Sequence, residues 1–284
     1  MSGGVRLVCV LAAVAVLGAI AAPVPSALAQ PPRTGPATPS TAQDVAALRL
    51  PSEGGAAVTD GKGGSDGAPG PKAGGKGTAT GHPDCSKLKC VALTMDDGPV
   101  ANTSKVLDLL RKKKVHATFF VLGQNARLHP GLVRRMLAEG HAVGNHSWNH
   151  PQFWKMSRAA IARQLDRTDA LLKRITGKKP RLVRPPYGEV DARVRRIATA
   201  GGQSLVLWDV DPDDWRDHDA DLVVRRVLHH ARRGSIILTH DVWPTTRHAY
   251  ARIIDGLEER GFTLVTVPQL LGSKAKPGRV FLRQ

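Results

Sequence analysis

The stretch Val91-Ala92-Leu93-Thr94-Met95-Asp96-Asp97-Gly98-Pro99 decides how this chain reads. Five apolar or β-branched residues form a run suited to a buried strand, and Gly98-Pro99 stops it. Two carboxylates are therefore set side by side where the chain leaves a core. Each raises the other's pKa unless a metal ion or an arginine stands beside them, so the pair calls for a cation supplied from elsewhere in the chain.

Downstream of Cys90 the apolar period keeps switching between short β-rich runs and longer amphipathic segments. The runs predict strands at 90–95, 115–121, 141–145, 182–184, 204–209, 235–239 and 262–267. Helices are expected at 103–113, 130–139, 157–175, 191–200, 220–233 and 246–260, with Pro130 near the start of the second and Ser157 capping the third. Alternating strand and helix argues for parallel strands, each covered by the helix that follows.

The unusual polar residues all fall at carboxyl ends of these strands. Asp96 and Asp97 follow the first, His146 and His150 the third, Arg184 and Tyr187 the fourth, Asp209 to Trp215 the fifth and His240 the sixth. A doubly wound sheet does not bring so many strand ends together, whereas a β/α barrel gathers them on one face. The fold class expected is α/β, a distorted, incomplete TIM-like barrel of seven β/α units.

His146-Ser-Trp-Asn-His150 sets two imidazoles four residues apart, able to point inward from one helical or looped turn. Two histidines and one Asp, with positions left for water and substrate, suit a hydrolytic zinc site and equally a non-haem iron oxygenase. The remaining histidines, including His116, His129, His141, His218, His229, His230 and His248, have no partner at a telling spacing. Arg193 to Arg196 and Arg225-Arg226 read as solvated helix faces.

The flanking sequence bounds the compartment. Residues 1–29 carry one early charge (Arg6), an apolar stretch from Leu7 to about Ala22 and a small-residue Ala27-Leu28-Ala29 site, the pattern of a secretory signal peptide. Pro23 and Pro25 break the run, which argues against an uncleaved membrane anchor. Residues 30–84 are rich in Pro, Gly, Ala, Ser and Thr without a periodic apolar face, and read as a disordered linker; residues 85–284 form the folded domain. Cys85 and Cys90, the two cysteines left after the leader, read as a disulfide in an exported chain.

The charge is concentrated in that domain. Residues 1–84 hold six Lys/Arg and five Asp/Glu of the chain's 41 and 24, leaving 35 and 19, a net +16, for residues 85–284. Outside a cell, nucleic acid is a poor partner for such a surface and an anionic wall polymer or membrane surface a better one.

Five segments taken in order resemble the motifs of the NodB-type polysaccharide deacetylases, carbohydrate esterase family 4. They are Thr94-Met-Asp-Asp-Gly-Pro99, His146-Ser-x-x-His150, Arg184-Pro-Pro-Tyr-Gly188, Asp211-x-x-Asp214-Trp215 and Leu238-Thr-His240. The resemblance covers about residues 85–271; Met95 stands where the family usually has Phe, which bears on packing rather than chemistry. It implies that Asp97, His146 and His150 bind a divalent metal, usually Zn2+, with Co2+ or another ion possible. It implies Asp96 as general base toward the attacking water, with Arg184 beside it, and the backbone N–H of Tyr187 at the oxyanion. His240 would be the general acid tuned by Asp214, although Asp209 and Asp211 are alternative partners. Trp215 and Leu238 would wall the acetyl pocket.

The function expected is a secreted hydrolase that removes N-acetyl groups from a polysaccharide such as peptidoglycan, acting as a monomer without stable membrane insertion. Chitooligosaccharides and acetylxylan are the alternative substrates within the family, and an inactive wall-glycan-binding protein is the alternative of another class.

Overall fold

The computed structural model describes residues 83–284. The leader expected over residues 1–29, and all but the last two residues of the linker expected over 30–84, lie outside them.

The described chain alternates strand and helix as its periodicity demands. β1 (Cys90–Asp96), α1 (Thr103–Lys113), β2 (Thr118–Val121), α2 (Gly123–Leu128), α3 (Pro130–Ala138) and β3 (Ala142–Asn145) come first. Then follow α4 (Arg158–Thr176), β4 (Leu182–Val183), α5 (Ala192–Ala200), β5 (Ser204–Val206), α6 (Asp214–Asp217) and α7 (Ala220–His230). The chain closes with β6 (Ile236–His240), α8 (Pro244–Glu259), β7 (Thr263–Leu264), α9 (Val267–Leu271) and β8 (Val280–Phe281). The expected cap of α4 is present: Ser157 Oγ accepts from the Ala160 amide at 3.3 Å, and Gly177 ends the helix at φ 76°.

All the ladders are parallel, in the order β6-β1-β2-β3-β4-β5-β8. Beyond β5 the chain returns to the far edge, where Val210 bridges Ile237 of β6 and its carbonyl accepts from the Leu238 amide at 2.9 Å. The sheet thus curls until its two edges meet through isolated bridges rather than a continuous ladder, which is the distorted, incomplete barrel the strand pattern predicts.

The seventh expected strand departs from its prediction. β7 stops at Leu264 and pairs only with Cys90 and Val91 at the start of β1, outside the strand path. The chain then turns into α9, because Thr266 and Gln269 form a reciprocal capping box and Pro268 occupies the first turn. An eighth strand that the sequence reading did not foresee, β8, pairs with Leu205 and Val206 of β5, and Arg283 beyond it bridges Ser235 just ahead of β6.

Side-chain alternation along β1 separates two cores. Val91, Leu93 and Met95 face the outer helices, so the unusual methionine is an outer packing residue, 1% exposed. Cys90 and Ala92 face inward among Phe120, Leu182, Val206 and Ile236, with Val267, Leu270 and Leu271 of α9 in the same cluster. The Cys85–Cys90 disulfide joins this inner cluster and ties the start of the domain to β1. With a period of two, the next inward positions are Thr94 and Asp96. An apolar floor therefore leads upward to polar residues at the carboxyl ends of the strands.

Candidate active site

Asp96 ends β1 on that inward face and is buried. Three strands along the sheet, β4 runs directly into Arg184, whose side chain is 0% exposed. Its guanidinium is held from several directions. Nη1 donates to Asp96 Oδ1 at 2.8 Å and to Thr94 Oγ1 at 2.7 Å, Nε donates to Val206 O at 3.1 Å, and Nη2 to Leu207 O at 3.0 Å. The Phe120 ring lies 4.2 Å beneath its carbon centre. Burial pushes the Asp96 carboxyl up to about 6, and the Arg184 charge restrains the rise.

Asp97 points elsewhere. It takes a left-handed backbone, φ 71°, and its carbonyl accepts from Asn125 Nδ2 at 2.7 Å, so α2 fixes the turn. Asp97 Oδ1 lies 3.6 Å from His146 Nε2 and 3.7 Å from His150 Nε2. Bonds of about 2.0–2.2 Å to one ion place tetrahedral neighbours roughly 3.3–3.5 Å apart, so the spacing suits shared coordination better than hydrogen bonding. One ligand atom from each of the three residues lies within 4.8 Å of the other two.

The two histidines are set by a loop rather than a helical turn, with Ser147 at φ 75° and His150 at φ 61°. His146 Nδ1 donates to Arg184 O at 2.6 Å, which leaves Nε2 as the lone-pair nitrogen facing Asp97. Burial pushes this imidazole down to about 4, keeping it neutral and fit to ligate. The donor set of one carboxylate and two imidazoles, with one imidazole oriented from behind, fits a divalent ion.

On β6, His240 has a single carboxylate partner among the three aspartates left open by the sequence. Asp214, 0% exposed, accepts from His240 Nδ1 at 2.8 Å, from the His240 backbone amide at 2.8 Å and from Thr246 Oγ1 at 2.8 Å. Asp209 is engaged instead with the Ile236 amide and Ser235, and Asp211 caps the Asp213 amide. Burial alone would lower the imidazole, but the Asp214 carboxylate raises it to about 9.

The remaining predicted residues gather on the same face. Tyr187 sits in a 3₁₀ turn, Pro186–Gly188, at φ 60°, with its ring 4.5 Å from that of His150. Trp215 follows Asp214 on α6, half-buried, and Leu238 lies two positions before His240 on the inward face of β6. Arg226 is not a solvated helix residue as expected. Its Nη1 bonds Asp217 and donates to Pro212 O at 2.8 Å, bracing the segment that carries Asp214.

Sequence reasoning missed two residues here. Asp241, buried next to His240, accepts from Thr103 Oγ1, and burial pushes its carboxyl up to about 6. It packs on Gly98, where a Cβ would stand 2.6 Å from Oδ1, so any larger residue there would push the Asp241 carboxylate aside. A carboxylate directly after a strand-end histidine was the available signal. The other is Trp154, exposed beside Tyr187 with ring centroids 5.4 Å apart.

Residues 84–206 match the polysaccharide deacetylase family. A chitooligosaccharide deacetylase of Sinorhizobium fredii is 39% identical over 194 residues, spanning 63% of this chain and 90% of that protein. This chain belongs to the polysaccharide deacetylase family. A peptidoglycan-N-acetylmuramic acid deacetylase of Bacillus subtilis, PdaC, is 44% identical over 183 residues, or 64% of this chain and 38% of the relative. This chain therefore spans less than half of that relative's length. The solved structure of PdaC from Bacillus subtilis superposes with a TM-score of 0.63 at 43% identity, covering 66% of this chain and 92% of that one. Among the described residues of this deacetylase-family chain, no helix is long and apolar enough to cross a membrane.

Proposed function

We propose that this protein is a secreted, metal-dependent hydrolase that removes N-acetyl groups from GlcNAc-type residues of a polysaccharide, with peptidoglycan as the preferred substrate. The observation that carries the reading is the separation of the two adjacent carboxylates, Asp96 onto Arg184 and Asp97 toward His146 and His150. Relatives named as peptidoglycan and chitooligosaccharide deacetylases support the amide rather than the ester substrate. The basic domain and the exported leader and linker read over residues 1–84 support an anionic cell wall as the setting.

Asp97, His146 and His150 would hold the ion, Zn2+ or Co2+ being suited to this donor set. When bound, such an ion supplies Lewis-acid stabilisation of the charge that develops on the acetyl oxygen. Asp96, ionised and oriented by Arg184, takes a proton from the attacking water as its oxygen bonds to the acetyl carbon. The backbone N–H of Tyr187 donates to the oxyanion. His240, protonated below about 9, then gives its proton to the amine nitrogen as the C–N bond breaks, releasing acetate and a free amino sugar. Trp215 and Leu238 exclude water from the acetyl methyl group.

The test is acetate release from muropeptides, chitooligosaccharides and acetylxylan, read by mass spectrometry with and without added Zn2+ or Co2+. Mass loss from the first two without oxygen or ferrous iron is the expected result. Hydrolysis of acetylxylan alone would refute the N-acetyl reading, and glycan binding without turnover would favour an inactive wall-binding protein.

The His240–Asp214 contact carries its own expectation. His240 must be protonated to act, so activity falls as pH rises through its pKa. Asp214→Asn removes the carboxylate that raises that pKa and leaves the burial that lowers it. The alkaline limb of the kcat profile should move down by at least one pH unit, and an unmoved limb would assign it to another group.

A further inference from the structure

Trp154 is the one tryptophan of the five that is exposed, at 44%, and it lies on the face that carries the candidate site. Single exposed apolar residues are ordinary on protein surfaces. This one is different in what holds it. Phe153, next to it, is 1% exposed in a core cluster with Ile161, Leu165 and Val183. The 3₁₀ turn Phe153–Lys155 is fastened at its end by Arg193, whose Nη1 donates to Met156 O at 2.5 Å. The indole is thus fixed by a buried anchor, while its own ring stays partly exposed.

It is also the outer end of a row of rings. Trp154 meets Tyr187 edge-to-face at 5.4 Å between centroids, and Tyr187 meets His150 in the same manner at 4.5 Å. The row leads from a proposed metal ligand outward to the surface, the direction a polymer must follow if one of its acetyl groups is to reach Asp96. A pyranose ring presents an apolar face of C–H groups, which packs on the electron-rich face of an indole. A rigid platform binds such a ring with little ordering cost.

We infer that Trp154 is a glycan-binding residue, the floor of a subsite for a pyranose neighbouring the one that is deacetylated. The inference rests on the polysaccharide reading above and adds a specificity for chain length to it. A monosaccharide-sized substrate cannot reach both the catalytic residues and the indole, whereas an oligomer can.

The experiment uses the full chain loaded with Zn2+ and a series of N-acetylglucosamine oligomers of increasing length. In the unmodified protein kcat/KM should rise with length. Trp154→Ala should reduce the ratio of kcat/KM between long and short oligomers about ten-fold, chiefly through KM, and Trp154→Tyr should restore most of it. An unchanged ratio in Trp154→Ala would overturn the subsite while leaving deacetylation standing. If no oligomer is turned over, titration calorimetry with the longest oligomer decides separately: weaker binding to Trp154→Ala supports the subsite, and equal or absent binding overturns it. Unfolding curves that superpose for the three proteins show that the comparison is one of binding and not of folding.

Discussion

Asp96→Asn is expected to lower acetate release by about 10²–10⁴-fold, the range for loss of a positioned general base, with the fold intact. Asparagine is the informative replacement because its amide oxygen still accepts from Arg184 Nη1, which now bonds Asp96 Oδ1 at 2.8 Å. Alanine would leave the guanidinium buried beside a cavity and confuse chemistry with stability. The loss should fall on kcat with little change in KM, because the carboxylate acts on water rather than on the sugar. Initial rates on a chitooligosaccharide, with Tm recorded in parallel, check this. A variant retaining more than a tenth of the rate would remove Asp96 from the role of base.

Arg184→Met should destabilise the domain by about 3–5 kcal/mol, the usual consequence of removing one partner from a buried ion pair. Four contacts go at once: the Asp96 carboxylate, the Thr94 hydroxyl and the carbonyls of Val206 and Leu207. For a domain of this size the corresponding fall in Tm is roughly 10 °C. The same change removes the cation that restrains the Asp96 pKa, so any residual activity should need a higher pH than in the unmodified protein. Arg184→Lys keeps a charge but only as a point donor, and cannot span a carboxylate, a hydroxyl and two backbone carbonyls lying in different directions. Calorimetry of both variants checks the account. A Tm within 2 °C of the unmodified protein for Arg184→Met would show that the network contributes little to the fold.

How far the sequence carried these conclusions depended on where each determinant lay. β1 was legible because Val91 to Met95 are consecutive and apolar, and the inward position of Asp96 followed from a period of two. The metal-ligand candidates were legible because His146 and His150 share one short segment. α9 was hidden by the run Thr263 to Val267, β-branched at every position but Leu264, which reads as strand until the Thr266-x-x-Gln269 capping box is given more weight than the side-chain pattern. β8 was hidden by its length, two residues that pair only because Gly278 and the preceding turn return the chain to β5. The partner of His240 was undecidable among Asp209, Asp211 and Asp214, which fall within six residues. Tertiary contacts separated them, turning Asp209 to the Ile236 amide and Asp214 to both His240 donors. Trp154 carried no periodic signal at all, since its meaning lies in Tyr187, a residue from another loop.

The central claim is that the neighbouring carboxylates Asp96 and Asp97 do different work. Metal content and affinity of Asp96→Asn and Asp97→Asn, measured side by side with acetate release, test it most directly. The account predicts that Asp96→Asn binds Zn2+ as the unmodified protein does while turnover is lost. Asp97→Asn should bind it at least ten-fold more weakly and recover part of its rate when excess Zn2+ is supplied. Equal loss of metal from both variants, or full metal retention by Asp97→Asn, would contradict the division of roles.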